Sequence, residues 1–327
     1  MIVCPRPEVF RGFMKRALFV VASLLILADA APNDGVVANL NRLSAHARFG
    51  TTPFSDLSFD EWVTMRRSGS AVVEPTGKPV LGAPTPKTFD NSTIAAALAQ
   101  PCDWQTGENR LGLQAVTRNK NQAACGACWD FATVAALESQ QVIAGNPLSA
   151  FSEQYVLDCL QGQGRGNLKG CAGGDPYTAA TLLTQNALPL ERMYEFTSYD
   201  QSTHACSNQG TLIGQAREVL LPQVSSGQDI ENVMAAFIDR VGPLVVSVYT
   251  AIPAWQHYTG GVLDVCPPTT KAMVDHAVAI VGYGIDGNVP YWKVKNSWSP
   301  LWGENGYVRL LRGTNACGVS FFPLGLQ

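Results

Sequence analysis

Two cysteines three positions apart open a run of small and apolar residues, Cys125-Gly126-Ala127-Cys128-Trp129-Asp130-Phe131. Sulfur at this spacing has three chemistries: half of a zinc site, a redox dithiol, or a nucleophile beside a structural neighbour. Zinc needs a second pair at similar spacing, and the sequence holds none. A redox dithiol is expected after a strand in a βαβ unit, with tryptophan before the first cysteine rather than after the second. A nucleophile attacks a carbonyl only as thiolate, which a helix N-terminus or a nearby imidazolium favours. Only four histidines exist. His46 lies in a segment that reads as removable, and His204 and His257 sit in polar, turn-rich surroundings. His276 heads the apolar run 277–281, where a strand can hold it rigidly. Asn296, in Lys295-Asn296-Ser297-Trp298, follows the next strand and can orient a ring. Taken singly, a histidine of this kind is usually structural and Asn-Ser-Trp usually a turn; the combination is what points to chemistry.

The elements that must carry these groups can be read from pattern. Residues 129–144 are alanine-rich and free of glycine and proline, and Gly145-Asn146-Pro147 stops them, so the spacing predicts a helix of about four turns with Cys128 at its first turn. Ser152 can cap a second helix over 153–160, with Glu153 near the positive end of the dipole. Residues 161–170 read as a glycine-rich loop and 178–185 as a further helix. From 241 the character changes to short apolar segments bounded by glycine or proline, 244–249, 277–283, 291–295 and 307–311, which read as strands. Adjacent antiparallel strands would bring His276 and Asn296 to one end of a sheet. The fold class expected is α+β, helical first and β-rich second.

Apolar residues make up 46% of the 327 and charged residues 15%, so a core is easily supplied. A net charge of −3, with no basic run outside the N-terminus, excludes a nucleic-acid-binding design. Arg6, Arg11, Lys15 and Arg16 precede an apolar run at 17–28, and Ala28-Asp29-Ala30 offers small residues for cleavage. The run is shorter than the roughly 20 residues a membrane span needs, so residues 1–30 read as a signal peptide and the mature form as not membrane-spanning. The nine cysteines fit the oxidising secretory pathway, with an extracellular or lysosome-like destination. Residues 31–99 differ from the rest. Val36, Leu40, Leu43 and Ala47 recur at helical spacing over 36–48. Pro75, Pro79, Pro84 and Pro86 with Gly69, Gly77 and Gly82 read as an extended linker. Asn91-Ser92-Thr93 is a glycosylation sequon.

The ordered set of motifs resembles papain-like cysteine peptidases, and most nearly their cathepsin L-like branch. Cys125-Gly126-Ala127-Cys128-Trp129 is similar to the active-site signature, and His276 and Asn296 follow it in the family's order. Asp103-Trp104, Ser152-Glu153-Gln154, Gly170-Cys171-Ala172-Gly173-Gly174, His257-Tyr258-Thr259-Gly260-Gly261 and Trp302-Gly303-Glu304-Asn305-Gly306-Tyr307 extend the likeness over nearly the whole chain after residue 38. Gly50, Phe54 and Asp56 are similar to a prosegment motif. The resemblance implies a two-domain fold, helical plus β-barrel-like, with the active site in the cleft between them. It implies Cys128 as nucleophile, His276 as general base and acid, Asn296 as the imidazole's holder and Trp298 as the cover over that bond. Gln122 and the Cys128 backbone N–H would bind the oxyanion. On the substrate side it implies Gly173 and Gly174, where a peptide backbone approaches, and a specificity pocket from Pro176, Ser247, Val274 and Ala277, with Trp298 and Trp302 beyond. It further implies disulfides Cys125–Cys171, Cys159–Cys206 and Cys266–Cys317, leaving Cys102 unassigned.

The expected activity is therefore a cysteine endopeptidase made as a zymogen: signal peptide 1–30, short inhibitory prosegment and linker 31–99, peptidase domain 100–327. No cofactor and no metal are expected. Expected partners are peptide or protein substrates, the chain's own prosegment as intramolecular inhibitor, and cystatin-like inhibitors, around a monomer. An exopeptidase, or a papain-fold binding protein without turnover, are the alternatives. Four departures from the family pattern stand out: Asp130 where a small residue is usual, Ser299 where glycine follows Asn-Ser-Trp, a short interval from Cys317 to Phe321, and a short prosegment. A carboxylate at Asp130 suits the helix dipole but would oppose a Cys128 thiolate if it faced the cleft.

Overall fold

The helix Cys128–Ile143 is buried along nearly its whole length, because alanine and other small residues on every face let both halves of the molecule pack against it. It stops where Gly145 adopts a left-handed φ of 94°, a conformation that glycine takes without cost. The computed structural model describes residues 33–67, 83–164, 167–207 and 210–327. The segment read as a signal peptide and most of the stretch read as a linker lie outside the described residues. No described helix is long and apolar enough to cross a membrane.

The strands, in chain order, are β1 (Ala47–Phe49), β2 (Thr85–Lys87), β3 (Cys102–Asp103), β4 (Leu188–Pro189), β5 (Leu212–Gly214), β6 (Val219–Pro222), β7 (Leu244–Val248), β8 (Tyr258–Leu263), β9 (His276–Asp286), β10 (Val289–Lys295), β11 (Tyr307–Leu311) and β12 (Leu324–Leu326). The large sheet runs β1-β8-β11-β10-β9-β7-β12-β6-β2, with β3 also on β9; β4 and β5 form a separate pair. β9 pairs antiparallel with both β10 and β7, which sets the register that matters: Lys295 of β10 lies opposite Ala279 and Val248 of β7 opposite His276. His276 therefore begins one strand, and Asn296 follows the end of its neighbour.

Two apolar cores flank this sheet. Leu244, Val246 and Val248 of β7 face one, with the helix Ile230–Arg240 and the tryptophans, while Val245 faces the other, with the central helix. Leu324 and Leu326 of β12 join the second core. This alternation is the period of two that a strand imposes. The architecture is α+β with a helical and a β-rich half.

Several elements depart from the sequence pattern. The 36–48 stretch splits: a helix covers Asp34–Leu43 with no buried residue, and Ala47–Phe49 instead becomes β1, pairing with β8. The Ser44 hydroxyl accepts from the Ala47 N–H at 2.8 Å and turns the chain. The helix expected at 178–185 is Pro176–Leu183, set two residues earlier by Asp175, whose carboxylate caps the Tyr177 and Thr178 N–H groups ahead of a proline at the first turn. Ser152 caps Tyr155 as expected, but after Tyr155 the backbone widens to a π-helix over Val156–Leu160. Helices Asn91–Leu98 and Ile230–Arg240 were not expected, and they pack on each other.

The disulfides are Cys125–Cys171, Cys159–Cys206 and Cys266–Cys317, the pairs the family resemblance implies. Cys102 is a buried free thiol that burial pushes up to about 12, so it stays protonated and unreactive.

Candidate active site

Cys128 is the first residue of the central helix, so its sulfur sits where unsatisfied N–H groups and the dipole favour an anion. It takes no part in a disulfide, and the Cys125–Cys171 bridge pins the loop before it. The ring of His276 meets Asn296 through Nε2 and Oδ1 at 2.8 Å. An amide oxygen only accepts, so Nε2 carries a proton, and Nδ1 is left as the nitrogen able to take one from a thiol. The Trp298 ring lies 4.7 Å from the imidazole ring and excludes water from that bond. Asn296 Oδ1 also accepts from the Ser297 N–H at 2.8 Å.

Gln122 is buried and zipped to the far side of the cleft. Its N–H donates to the Ser297 carbonyl at 2.9 Å, and its Oε1 accepts from the Ser297 hydroxyl at 2.5 Å. Its Nε2 donates to the Cys125 carbonyl at 2.8 Å, leaving one amide hydrogen for another acceptor. Ser297 is the member of this group that sequence reasoning left without a role. Its position between Asn296 and Trp298 was the available signal.

Next to Asn296 and Ser297 lies a layer of buried charge. Lys120 Nζ meets Glu138 at 2.8 Å and Glu153 at 2.7 Å and donates to the Phe151 carbonyl at 2.9 Å. Lys295 Nζ donates to the Thr117 hydroxyl at 2.8 Å. Burial alone would lower Lys120, but Glu138 and Glu153 hold it above its usual range. Burial brings Lys295 down to about 8, opposed by Glu138. Burial pushes Glu153 up to about 7 against the pull of Lys120.

Asp130 corrects its sequence reading. It is 1% exposed, and neither carboxyl oxygen has a hydrogen-bond partner among the described residues. Burial, with Glu153 adding to it, raises its pKa well above the usual carboxylate range, which favours the neutral acid over an anion on the helix dipole. Gly174 also gains a different reason. A Cβ there would meet the Trp129 indole at 2.6 Å, so the glycine is required by packing. Gly173 has φ 104°, a conformation restricted to glycine. Of the specificity candidates, Ser247 and Ala277 are direct neighbours across β7 and β9, and Val274 and Pro176 are buried as well. Trp302 stacks on Trp255 at 5.9 Å and meets Trp298 edge-on at 5.1 Å. Ser299 holds a left-handed φ of 77°, where glycine would be unstrained.

A thiol at a helix N-terminus, an imidazole locked by an amide and covered by an indole, and a glutamine joined across the cleft define a nucleophilic cysteine site. A family model for papain family cysteine proteases matches residues 98–324. A cysteine proteinase of Trypanosoma brucei brucei is 34% identical over 83% of this chain and 55% of its own length. Cysteine proteinase 1 of Dictyostelium discoideum is 33% identical over 89% of this chain and 82% of its own. The solved structure of a recombinant stem bromelain precursor is 27% identical, with a TM-score of 0.74 over 97% of this chain and 99% of that one. The chain belongs to the papain family of cysteine proteases. It spans about half the length of the trypanosome relative.

Proposed function

We propose that this chain is the zymogen of a cysteine endopeptidase of the secretory pathway. The observation that carries the reading is the locked pair: His276 held by Asn296 at 2.8 Å under Trp298, with Cys128 at the head of the central helix. His276 Nδ1 takes the thiol proton, giving a thiolate–imidazolium pair. The thiolate attacks the peptide carbonyl carbon, and the electron pair displaced to oxygen is met by the Cys128 N–H and the remaining Gln122 amide hydrogen. As the C–N bond breaks, the imidazolium protonates the departing amine and an acyl-enzyme remains. Water, deprotonated by His276, then releases the acid and the free thiol.

Pro176, Ser247, Val274 and Ala277 form the lining we assign to the pocket for the second residue before the scissile bond; such a small, apolar wall suits an apolar side chain. The precursor is restrained by its own residues 33–67. β1 adds to the edge of β8, and Phe54 and Trp62 pack edge-on against Trp298 at 6.1 and 5.8 Å. Three disulfides suit an oxidising compartment with extracellular or lysosomal delivery. Cystatin-like inhibitors that occupy the cleft are the partners this reading adds. The test is labelling by an epoxide electrophile. The processed protein should take up one equivalent and lose peptidase activity, and Cys128→Ala should take up none. Labelling that survives Cys128→Ala, or no hydrolysis of any peptide in a diverse library, overturns the reading.

A further inference from the structure

Behind the catalytic amide lies a cavity of about 20 Å³, walled by Ala132, Ala135 and Ala277 and reached by Glu153, Lys295 and Asn296. Two polar atoms of its lining have no hydrogen-bond partner among the described residues: Asn296 Nδ2, a donor, and Glu153 Oε2, an acceptor when ionised. Both side chains are at least 97% buried. The other polar side-chain atom of each is engaged, Asn296 Oδ1 with His276 and Ser297, and Glu153 Oε1 with Lys120. An orphaned buried donor or acceptor is costly, so two such atoms on residues lining one small space call for a bridge. The volume suits one water, which needs about 10–15 Å³ and two to four polar neighbours. Lys295 Nζ, with a hydrogen beyond its Thr117 bond, can supply a third.

We propose that this cavity binds one water that accepts a hydrogen bond from Asn296 Nδ2 and donates one to Glu153 Oε2, making Glu153 a positioning residue for the catalytic imidazole. The reason lies in the symmetry of an amide. Oxygen and nitrogen of Asn296 have the same shape, and only their hydrogen bonds decide which faces His276. With Oδ1 inward, the imidazolium N–H is held. Flipped, two donors would oppose each other. The Ser297 N–H favours the productive side, and the water favours it from the opposite end of the amide, with the Glu153 carboxylate turning the water's oxygen toward Nδ2. The titratable groups around Glu153 are Lys120, Glu138, Glu191 and the buried Asp130 carboxyl, with Lys295 across the cavity.

The inference rests, for its kinetic arm, on the peptidase reading; its structural arm does not. In a high-resolution crystal structure of the precursor, we expect a water within about 3.2 Å of both Asn296 Nδ2 and Glu153 Oε2. In the processed enzyme, Glu153→Gln puts an amide, with either a donor or a weaker neutral acceptor, where a carboxylate oxygen stood. We expect kcat to fall about tenfold, KM to change less than about twofold, and the alkaline limb of the rate profile to move down by roughly half to one pH unit, as a less firmly held imidazolium loses its proton earlier. Ala132→Val, which fills the cavity and leaves both Lys120 ion pairs, should shift the limb the same way and serves if Glu153→Gln fails to fold. Glu191→Gln removes a charge 3.7 Å from Lys120 without touching the cavity and should leave the limb in place. A cavity without water, a water that does not touch Asn296, or the same limb shift in Glu191→Gln overturns the proposal. If the wild-type enzyme neither labels nor hydrolyses, the peptidase reading fails, and the crystallographic arm still decides the water.

Discussion

The stretch before the enzyme core docks in two places, and the two dockings differ in kind. Residues 33–67 attach around Trp298 by the aromatic packing of Phe54 and Trp62, joined by a dense set of polar and backbone bonds. The Gly50 N–H reaches the His257 carbonyl at 2.9 Å, Thr52 Oγ1 donates to the Gln256 carbonyl at 2.7 Å, and Gln256 Nε2 donates to the carbonyls of Phe54 and Leu57. Residues 85–98 attach at the far side through apolar contacts. β2 pairs with β6, Phe89 meets Phe237, and Ile94 and Ala97 enter the core, with the Tyr283 hydroxyl donating to the Ala97 carbonyl. The first attachment contains a buried histidine, and the second is built like the inside of a domain. Under the zymogen reading proposed above, the first attachment is the one that must release on processing, and the second is the one retained. We therefore expect N-terminal sequencing of the processed enzyme to return a start before Thr85, not at residue 100.

The largest effect that could break this comparison is at Trp62, which is fully buried against Trp298 and Phe59. Trp62→Ala should weaken docking of the first segment by about 3–5 kcal/mol, seen as rapid epoxide labelling of Cys128 in a precursor that is otherwise protected. It should leave the melting temperature of the processed enzyme unchanged. Ile94→Ala should cost about 2–5 kcal/mol by urea unfolding in precursor and processed enzyme alike. Equal effects of the two substitutions on the processed form would erase the distinction. Ser55→Ala, which removes the hydroxyl that accepts from the Thr52 N–H at 2.8 Å, should weaken the first docking by only about 1 kcal/mol, read in the same labelling assay.

The finest expected effect is one of slope. His257 is wholly buried, lies 3.4 Å from the Ser55 hydroxyl through Nδ1, and has no partner at Nε2 among the described residues. Burial lowers its pKa, opposed by a backbone contact with Gly50. A docked histidine with a lowered pKa binds fewer protons than a released one. Docking is thus at full strength above the free value of about 6.5 and weakens as pH falls from there toward the depressed docked value. Labelling of precursor Cys128 should accelerate over that window, and His257→Leu should flatten the acceleration.

Sequence pattern reached the helix at Cys128, because a glycine- and proline-free run and a sharp stop are local signals. It also reached the strands at His276 and Asn296. Elsewhere the signals were present and unread: Asp229 caps Ile230–Arg240, whose Val233, Met234, Phe237 and Ile238 face the core at helical spacing. Ala47 fitted a helical period only because β1 begins where that period would have continued. The raised pKa of Asp130 and the burial of His257 had no local signal. Both depend on segments far away in sequence closing over them, and burial is what moves their protons.

β12 lies between β7 and β6, and the Gln327 carbonyl accepts from the N–H of Glu218. During synthesis, β6 and the segment resting on it through β2 have no route into the main sheet until residues 324–326 leave the ribosome. The apolar rows of β6 and β7 must wait uncovered for that moment, so a nascent chain stalled before residue 324 is where a holding chaperone would find most to bind.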